Sequence, residues 1–244
     1  MRGKFLVLVI CAFGVCPFDA NSNSTAYSVT RSISSSTECQ HSLRNIFSNS
    51  SAKWPIAFLK EKQKTAKSCS LATVTMILNS LTGRSLPQAE VLEKSNFSTI
   101  WATAISPQGD GIILNKMGLV LADLLGSIGF GHYTVEVIHM NPSFALSRER
   151  AMRAITSVSK DGGKNQILLA NFLQSRLAGQ TDGASGHYSP IGGYDFNTHS
   201  LYLSEPDGGA QRPAWNALEN FLSATETFDE TAGNYRGFIW IYKK

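Results

Sequence analysis

Cys69-Ser70-Leu71-Ala72-Thr73-Val74-Thr75-Met76-Ile77-Leu78-Asn79-Ser80-Leu81 is the stretch on which the fold class turns. Leu71, Val74, Ile77, Leu78 and Leu81 recur at three- and four-residue steps, which makes one apolar stripe on a helix over residues 70–81. Gly83 is a natural stop, because glycine takes the left-handed conformation that closes a helix. Outward from this helix, residues 86–94, 119–128 and 144–158 read as further helices. From Tyr133 the period changes to two, and residues 133–138, 166–173, 187–194, 200–204 and 237–242 make up a set of about five strands. Helices gather in the first half and strands in the second. That order predicts an α+β domain in which a helical layer packs on an antiparallel sheet.

The N-terminus is of another kind. Arg2 and Lys4 precede an apolar run from Phe5 to Val15 that is too short for a spanning helix of ~20 residues. It has the pattern of a signal peptide over residues 1–20, so the protein is expected to be exported, periplasmic or secreted, with no membrane span after cleavage. Residues 21–52 are rich in Ser, Asn and Thr and read as a flexible lead-in, leaving 53–244 as the globular domain. The formal net charge of +4 is spread along the chain. Lys60, Lys62, Lys64 and Lys67 make the densest basic cluster, a solvated face or a rim that attracts an anionic substrate. Basic residues do not interleave with aromatics, so no nucleic-acid partner is expected. With Cys11 and Cys16 in the signal, the mature chain keeps Cys39 and Cys69, which are either one bridge or two thiols. No C-x-x-C pair or His-rich cluster marks a metal site.

Four residues carry the chemistry. A thiol becomes a nucleophile as its thiolate, a form favoured at the positive end of a helix and beside an imidazolium. Cys69 stands where the 70–81 helix starts, flanked by the small Ser68 and Ser70. His187 opens the strand Gly186-His187-Tyr188-Ser189-Pro190-Ile191-Gly192-Gly193-Tyr194, where Gly186 admits a close backbone and Pro190 suggests an edge or a bulge. A hairpin centred near Phe196 would put residue 205 or 206 across from His187, so Glu205 can orient the imidazole, with Asp207 as the competing carboxylate. Gln63, six residues before Cys69, can donate an amide hydrogen bond to an oxyanion.

These segments resemble the phytochelatin synthase family, a branch of the papain-like cysteine peptidases. The shared pattern is Gln, five residues, then Cys at a helix start, followed by Met76-Ile77-Leu78-Asn79-Ser80-Leu81. It continues through Gly186 to Tyr194, an acid eighteen positions after the histidine, Trp215, and Arg236-Gly237-Phe238. The resemblance implies a papain-like fold and a reaction in which Cys69 attacks the Cys-Gly bond of glutathione, or of a related γ-glutamyl thiol peptide, and glycine leaves. It also implies that Arg236 grips the γ-glutamyl end. No cofactor is required, and a divalent heavy metal enters only as a thiolate complex of the substrate. The chain departs from the pattern in two places. The acid is Glu rather than Asp, and Pro206-Asp207-Gly208-Gly209-Ala210-Gln211-Arg212-Pro213 replaces a basic-aromatic-Pro segment linked to a second glutathione. The second departure favours hydrolysis over phytochelatin synthesis. The rival functions are a papain-like peptidase for another peptide, and an inactive thiol- or metal-binding relative.

Overall fold

The computed structural model describes residues 9–11, 14–16, 61–180, 183, 185–207 and 214–243. The chain divides into two units, Met1–Phe47 and Ser48–Lys244. In the first, β1 (Val9–Cys11) pairs antiparallel with β2 (Gly14–Cys16). The rest of the expected signal peptide, the whole 21–52 lead-in, Cys39 and Lys60 lie outside the described residues.

The second unit opens with α1 (Cys69–Thr82), one residue longer at each end than its stripe predicted. Gly83 closes it in the left-handed region at φ 65°, its N–H donating to the Asn79 carbonyl at 2.9 Å. The short helices α2 (Gln88–Glu93) and α3 (Ser98–Ala104) follow. The second of these has no amphipathic repeat to announce it. It is held by one side chain, Trp101, which is fully buried and donates its indole N–H to Ser70 Oγ at 3.1 Å. Helix α4 (Leu114–Ser127) starts five residues before the sequence suggested. Its inner stripe is Leu114, Met117, Leu121 and Leu124, whereas Leu119 faces solvent. Gly118 lets this helix approach the sheet, since a Cβ there would stand 2.6 Å from Val137 Cγ2.

The sheet is antiparallel throughout and has six strands, one more than expected. They are β3 (Tyr133–His139), β4 (Gln166–Leu173), β5 (Gly186–Asp195), β6 (Ser200–Leu203), β7 (Ala214–Ala217) and, after the small β8 (Phe228–Asp229) and β9 (Asn234–Tyr235) pair, β10 (Gly237–Lys243). Across the main sheet the order is β3-β10-β4-β5-β6-β7. Strand β7, which pairs with β6, carries only Trp215 as a strand-favouring side chain, which is why alternation did not reveal it.

Helices cover both faces rather than one. On one face, α1 to α4 bury Val74, Trp101, Met117 and Leu121 with Ile167, Leu169, Ile239 and Ile241. On the other face, α5 (Ala145–Asp161) packs on β4 and β3, while α6 (Gln174–Leu177) leads away from β4. There α7 (Leu218–Thr225) sets Phe221 5.4 Å from Phe172 and 6.0 Å from Phe238, centroid to centroid. Neighbouring residues of β4 and β10 thus point to two apolar layers, so these central strands are apolar on both sides instead of alternating. Among the described residues no helix is long and apolar enough to cross a membrane.

Candidate active site

Cys69 is the first residue of α1, buried and with a free thiol. Ser68 does not cap the helix, and no acidic residue lies in its first turn. The positive end of α1 therefore faces the thiol without an opposing group. Ser68 instead uses its Oγ to accept N–H bonds from Lys64 (3.0 Å) and Thr65 (2.9 Å), which fixes the turn that leads into the helix. Thr73 Oγ1 donates to the Tyr188 carbonyl at 2.9 Å and pins α1 against β5, beside His187.

His187 is 4 % exposed and lies close enough to Cys69 for that side chain to raise its pKa. Its Nε2 meets Glu205 Oε1 at 2.5 Å, which leaves Nδ1 as the ring nitrogen not engaged by the acid. Phe172, directly across on β4, sets its ring at 74° to the imidazole with centroids 5.5 Å apart. Burial alone would pull the imidazole down. Hydrogen bonds to Cys69 and Glu205, and the charges on both, outweigh it and push His187 up to about 10. The imidazolium is thus the stable form at neutral pH.

Glu205 reaches the histidine by a route the sequence did not suggest. Asp195 pairs with Ser200, so the hairpin turns between Asn197 and Thr198 rather than at Phe196. A bulge between Ile191 and Gly193 then shifts the register by one residue. Ser204 N–H donates to the Pro190 carbonyl at 2.9 Å, which sets Glu205 opposite Ser189, two positions from His187 and on the same face. Without the bulge Glu205 would fall opposite Pro190 and point the other way, because a one-residue slip inverts every side chain. The span is a diagonal one of roughly 7–8 Å between Cα atoms, which the long glutamate arm crosses. The carboxylate on Nε2 is that of Glu205, and the backbone N–H of Asp207 donates to the same Glu205 Oε1 at 2.8 Å. Pro190 lies in a central strand rather than at an edge, two residues from the bulge.

Gly192 is the residue inside the bulge. A Cβ there would come within 2.5 Å of Ser204 Oγ and 3.0 Å of the Tyr202 ring. Gly192→Ala is expected to cost about 1–3 kcal/mol in urea unfolding and to lower turnover by moving Glu205. Wild-type stability together with wild-type turnover would show that Ser204 and Tyr202 yield without moving the acid.

Gln63 lies beside the acid. Its backbone N–H donates to the carbonyl of Pro206, the residue after Glu205, at 2.9 Å. Lys62, Lys64 and Lys67 around it are exposed. Arg236 is buried just beyond His187 on the β5 side. Its Nη1 donates to the Phe228 carbonyl (2.6 Å) and Thr227 Oγ1 (3.3 Å), and its Nη2 is 3.8 Å from Asp229 Oδ2. Burial lowers its pKa, opposed by Asp229 and Tyr188. What comes close to Gly186 is this guanidinium and not another backbone, since a Cβ at 186 would lie 3.2 Å from Arg236 Nε.

Sequence reasoning missed Asn171, Tyr188 and Asp229. Asn171 Nδ2 bonds the His187 carbonyl at 3.4 Å. Burial pushes the Tyr188 phenol up, with Cys69 and Asp229 adding to the rise and Arg236 opposing it, so this ring lies within the field of all three. A polar Asn171 inside the otherwise apolar 167–173 run was the available signal.

Eight buried side-chain polar atoms among the described residues have no hydrogen-bond partner, and four of them belong to this site: Gln63 Oε1, Asn171 Oδ1, Glu205 Oε2 and Arg236 Nε. Buried polar groups of native proteins are generally paired with protein or ordered water, so these four are sites for a water or a ligand group to bond. No group of three or more His, Cys, Asp or Glu side chains among the described residues is placed to hold a metal ion.

A family model, phytochelatin synthase, matches residues 27–238 of the 244. The match begins inside the stretch whose composition reads as a lead-in. No curated protein matches the chain. The chain belongs to the phytochelatin synthase family, an enzyme family that acts on glutathione, and its helices on an antiparallel sheet form the papain-like α+β fold of that family.

Proposed function

We propose that this member of the phytochelatin synthase family is a cysteine acyltransferase that releases glycine from glutathione, mainly by hydrolysis. The observation that carries the proposal is the buried Cys69–His187–Glu205 chain, with the imidazole pushed up to about 10. Cys69 Sγ attacks the carbonyl carbon of the Cys-Gly peptide bond. The oxyanion that forms is met by the Gln63 side-chain amide and the Cys69 backbone N–H at the uncapped start of α1. As the C–N bond breaks, His187 passes its proton to the leaving glycine amine, and a γ-glutamylcysteinyl thioester remains on Sγ. Water then attacks the thioester, His187 takes its proton, and γ-glutamylcysteine leaves as the thiolate of Cys69 is restored.

Arg236 and Asp229 supply opposite charges beside the site, and Arg236 Nε and Asn171 Oδ1 are a donor and an acceptor still unpaired. Such a set suits the zwitterionic amino-acid end of a γ-glutamyl group, with the carboxylate toward the guanidinium and the ammonium toward the acceptors. Transfer to a second glutathione, giving phytochelatin, is the minor outcome, in keeping with the Pro206–Pro213 sequence. The steps need only side chains and water, and a divalent heavy metal enters as the thiolate complex of its substrate. The Arg2-to-Val15 pattern supports reading this activity as an exported one. Mass spectrometry of glutathione incubated with the purified protein tests the proposal. Equal amounts of glycine and γ-glutamylcysteine are expected, and no glycine above the enzyme-free control would defeat it.

A further inference from the structure

Gln88 holds the segment that carries Gln63. It opens α2 and is only 2 % exposed. Its Nε2 donates to the Lys62 carbonyl at 2.8 Å and to Glu61 Oε2 at 3.0 Å, so both amide hydrogens are used. Two oxygen acceptors at one end fix which way the amide points. The turn after Gln63 is tied by Ser68, and the Gln63 N–H is tied by Pro206. Gln88 removes the freedom that remains, at the preceding peptide.

The same path leads back to the nucleophile. Asn79, buried on α1, accepts the Leu86 N–H at 2.8 Å through Oδ1 and donates from Nδ2 to the Leu86 carbonyl at 3.1 Å. Leu86 lies two residues before Gln88. A continuous run of short links therefore joins the helix that begins at Cys69, through Asn79, Leu86 and Gln88, to the peptide before Gln63.

We propose that Gln88 is a positioning residue that sets the Gln63 amide against Cys69, and this rests on Gln63 being an oxyanion donor. Without the Nε2 donor, the Lys62 carbonyl loses its partner and the segment can shift. A displacement near 1 Å at a reacting centre can cost about 10²-fold in rate. Gln88 touches no reacting atom, so its effect runs through Gln63 alone.

The test compares two reactions of Cys69 in the purified full chain. Acylation by p-nitrophenyl acetate, read as the nitrophenolate burst, passes through an oxyanion. Alkylation by iodoacetamide does not. Gln88→Met is expected to slow acylation on the order of tenfold, with alkylation within about twofold of wild type. In a Gln63→Ala background, the same change should cost less than about twofold, because the residue it acts through is gone. Unchanged acylation in Gln88→Met, or an equal loss in both backgrounds, overturns the proposal. Gln88→Glu keeps the size of the side chain but faces two acceptors with an oxygen. It should slow acylation at least as much, and it serves if Gln88→Met does not fold. Should Gln63→Ala acylate at the wild-type rate, the oxyanion assignment falls and takes this inference with it. Failure to release glycine from glutathione, with the acylation results standing, would strike only the choice of substrate.

Discussion

Cys69→Ser is expected to leave a folded protein that releases glycine from glutathione roughly 10⁴-fold more slowly, or not at all. The substitution exchanges one buried atom for a smaller one, and the residue is only 8 % exposed, so the packing of α1 changes little. The chemistry changes entirely. His187 is pushed up to about 10 partly by its hydrogen bond and charge interaction with Cys69, and a proton held on the imidazole favours a sulfur nucleophile beside it. A serine hydroxyl does not ionise near neutral pH and cannot keep that pair. The nucleophile would have to be made by a base that already holds its proton. Mass spectrometry reads both the product and the enzyme: wild type should show the mass of a γ-glutamylcysteinyl thioester on short incubation, and Cys69→Ser should show none. Glycine release from Cys69→Ser within tenfold of wild type would mean that another group attacks.

The second large effect is expected at Glu205. Glu205→Gln keeps the shape and one acceptor but removes the charge that accepts from Nε2 at 2.5 Å. An orienting carboxylate exchanged for its amide costs as much as ~10⁴ in a serine protease, and a loss of roughly 10²–10⁴ in kcat is expected here. The pH profile gives an independent reading. In wild type His187 gains its proton more readily than the ordinary 6.5, so turnover should hold through neutral pH and fall as the pH passes about 10. Removing the Glu205 charge takes away one of the causes of that rise, so the basic limb should move to lower pH. Stability follows the same sign: a histidine raised in the folded state stabilises fully below 6.5, and the contribution is lost as the pH rises through about 10. The carboxylate is nearly sealed, at 1 % side-chain exposure, so salt should screen the effect weakly. Asp207→Asn retains the backbone N–H that supports Glu205 and should stay near wild type. If Asp207→Asn were the inactive variant and Glu205→Gln the active one, the acid has been assigned to the wrong residue.

Much of this was legible before any coordinates. The 166–173 strand matches β4 residue for residue, and the 70–81 helix missed α1 by one residue at each end. Both have a repeat long enough to define one buried side or a continuous apolar run. The helix predicted at 119–128 began five residues late, since Leu119 looks like a core residue and is not. Helix α3 depends on the single anchor of Trp101, and β7 on pairing with β6, so neither leaves a local pattern. At the site, Cys69 and His187 announced themselves by setting, one at a helix start and one at the mouth of a strand. Asn171 and Gln88 did not, because each acts across the fold on a partner remote in sequence, and Asp229 did not, because it meets Arg236 only through the small β8–β9 pair between them.

By itself the sequence determined the longer helices and strands, the α+β class and the settings that single out Cys69 and His187, because periodicity and helix-end chemistry are local and are written in neighbouring letters. Only the tertiary structure decided which carboxylate serves His187. That choice depends on a one-residue bulge at Gly192, which reverses the face to which Glu205 points. The tertiary structure also decided that Gln63 lies beside that acid and is held there through Gln88 from the helix of Cys69. Hydrogen bonds between distant segments follow from the register of strands and the packing of helices, and those are properties of the assembled chain.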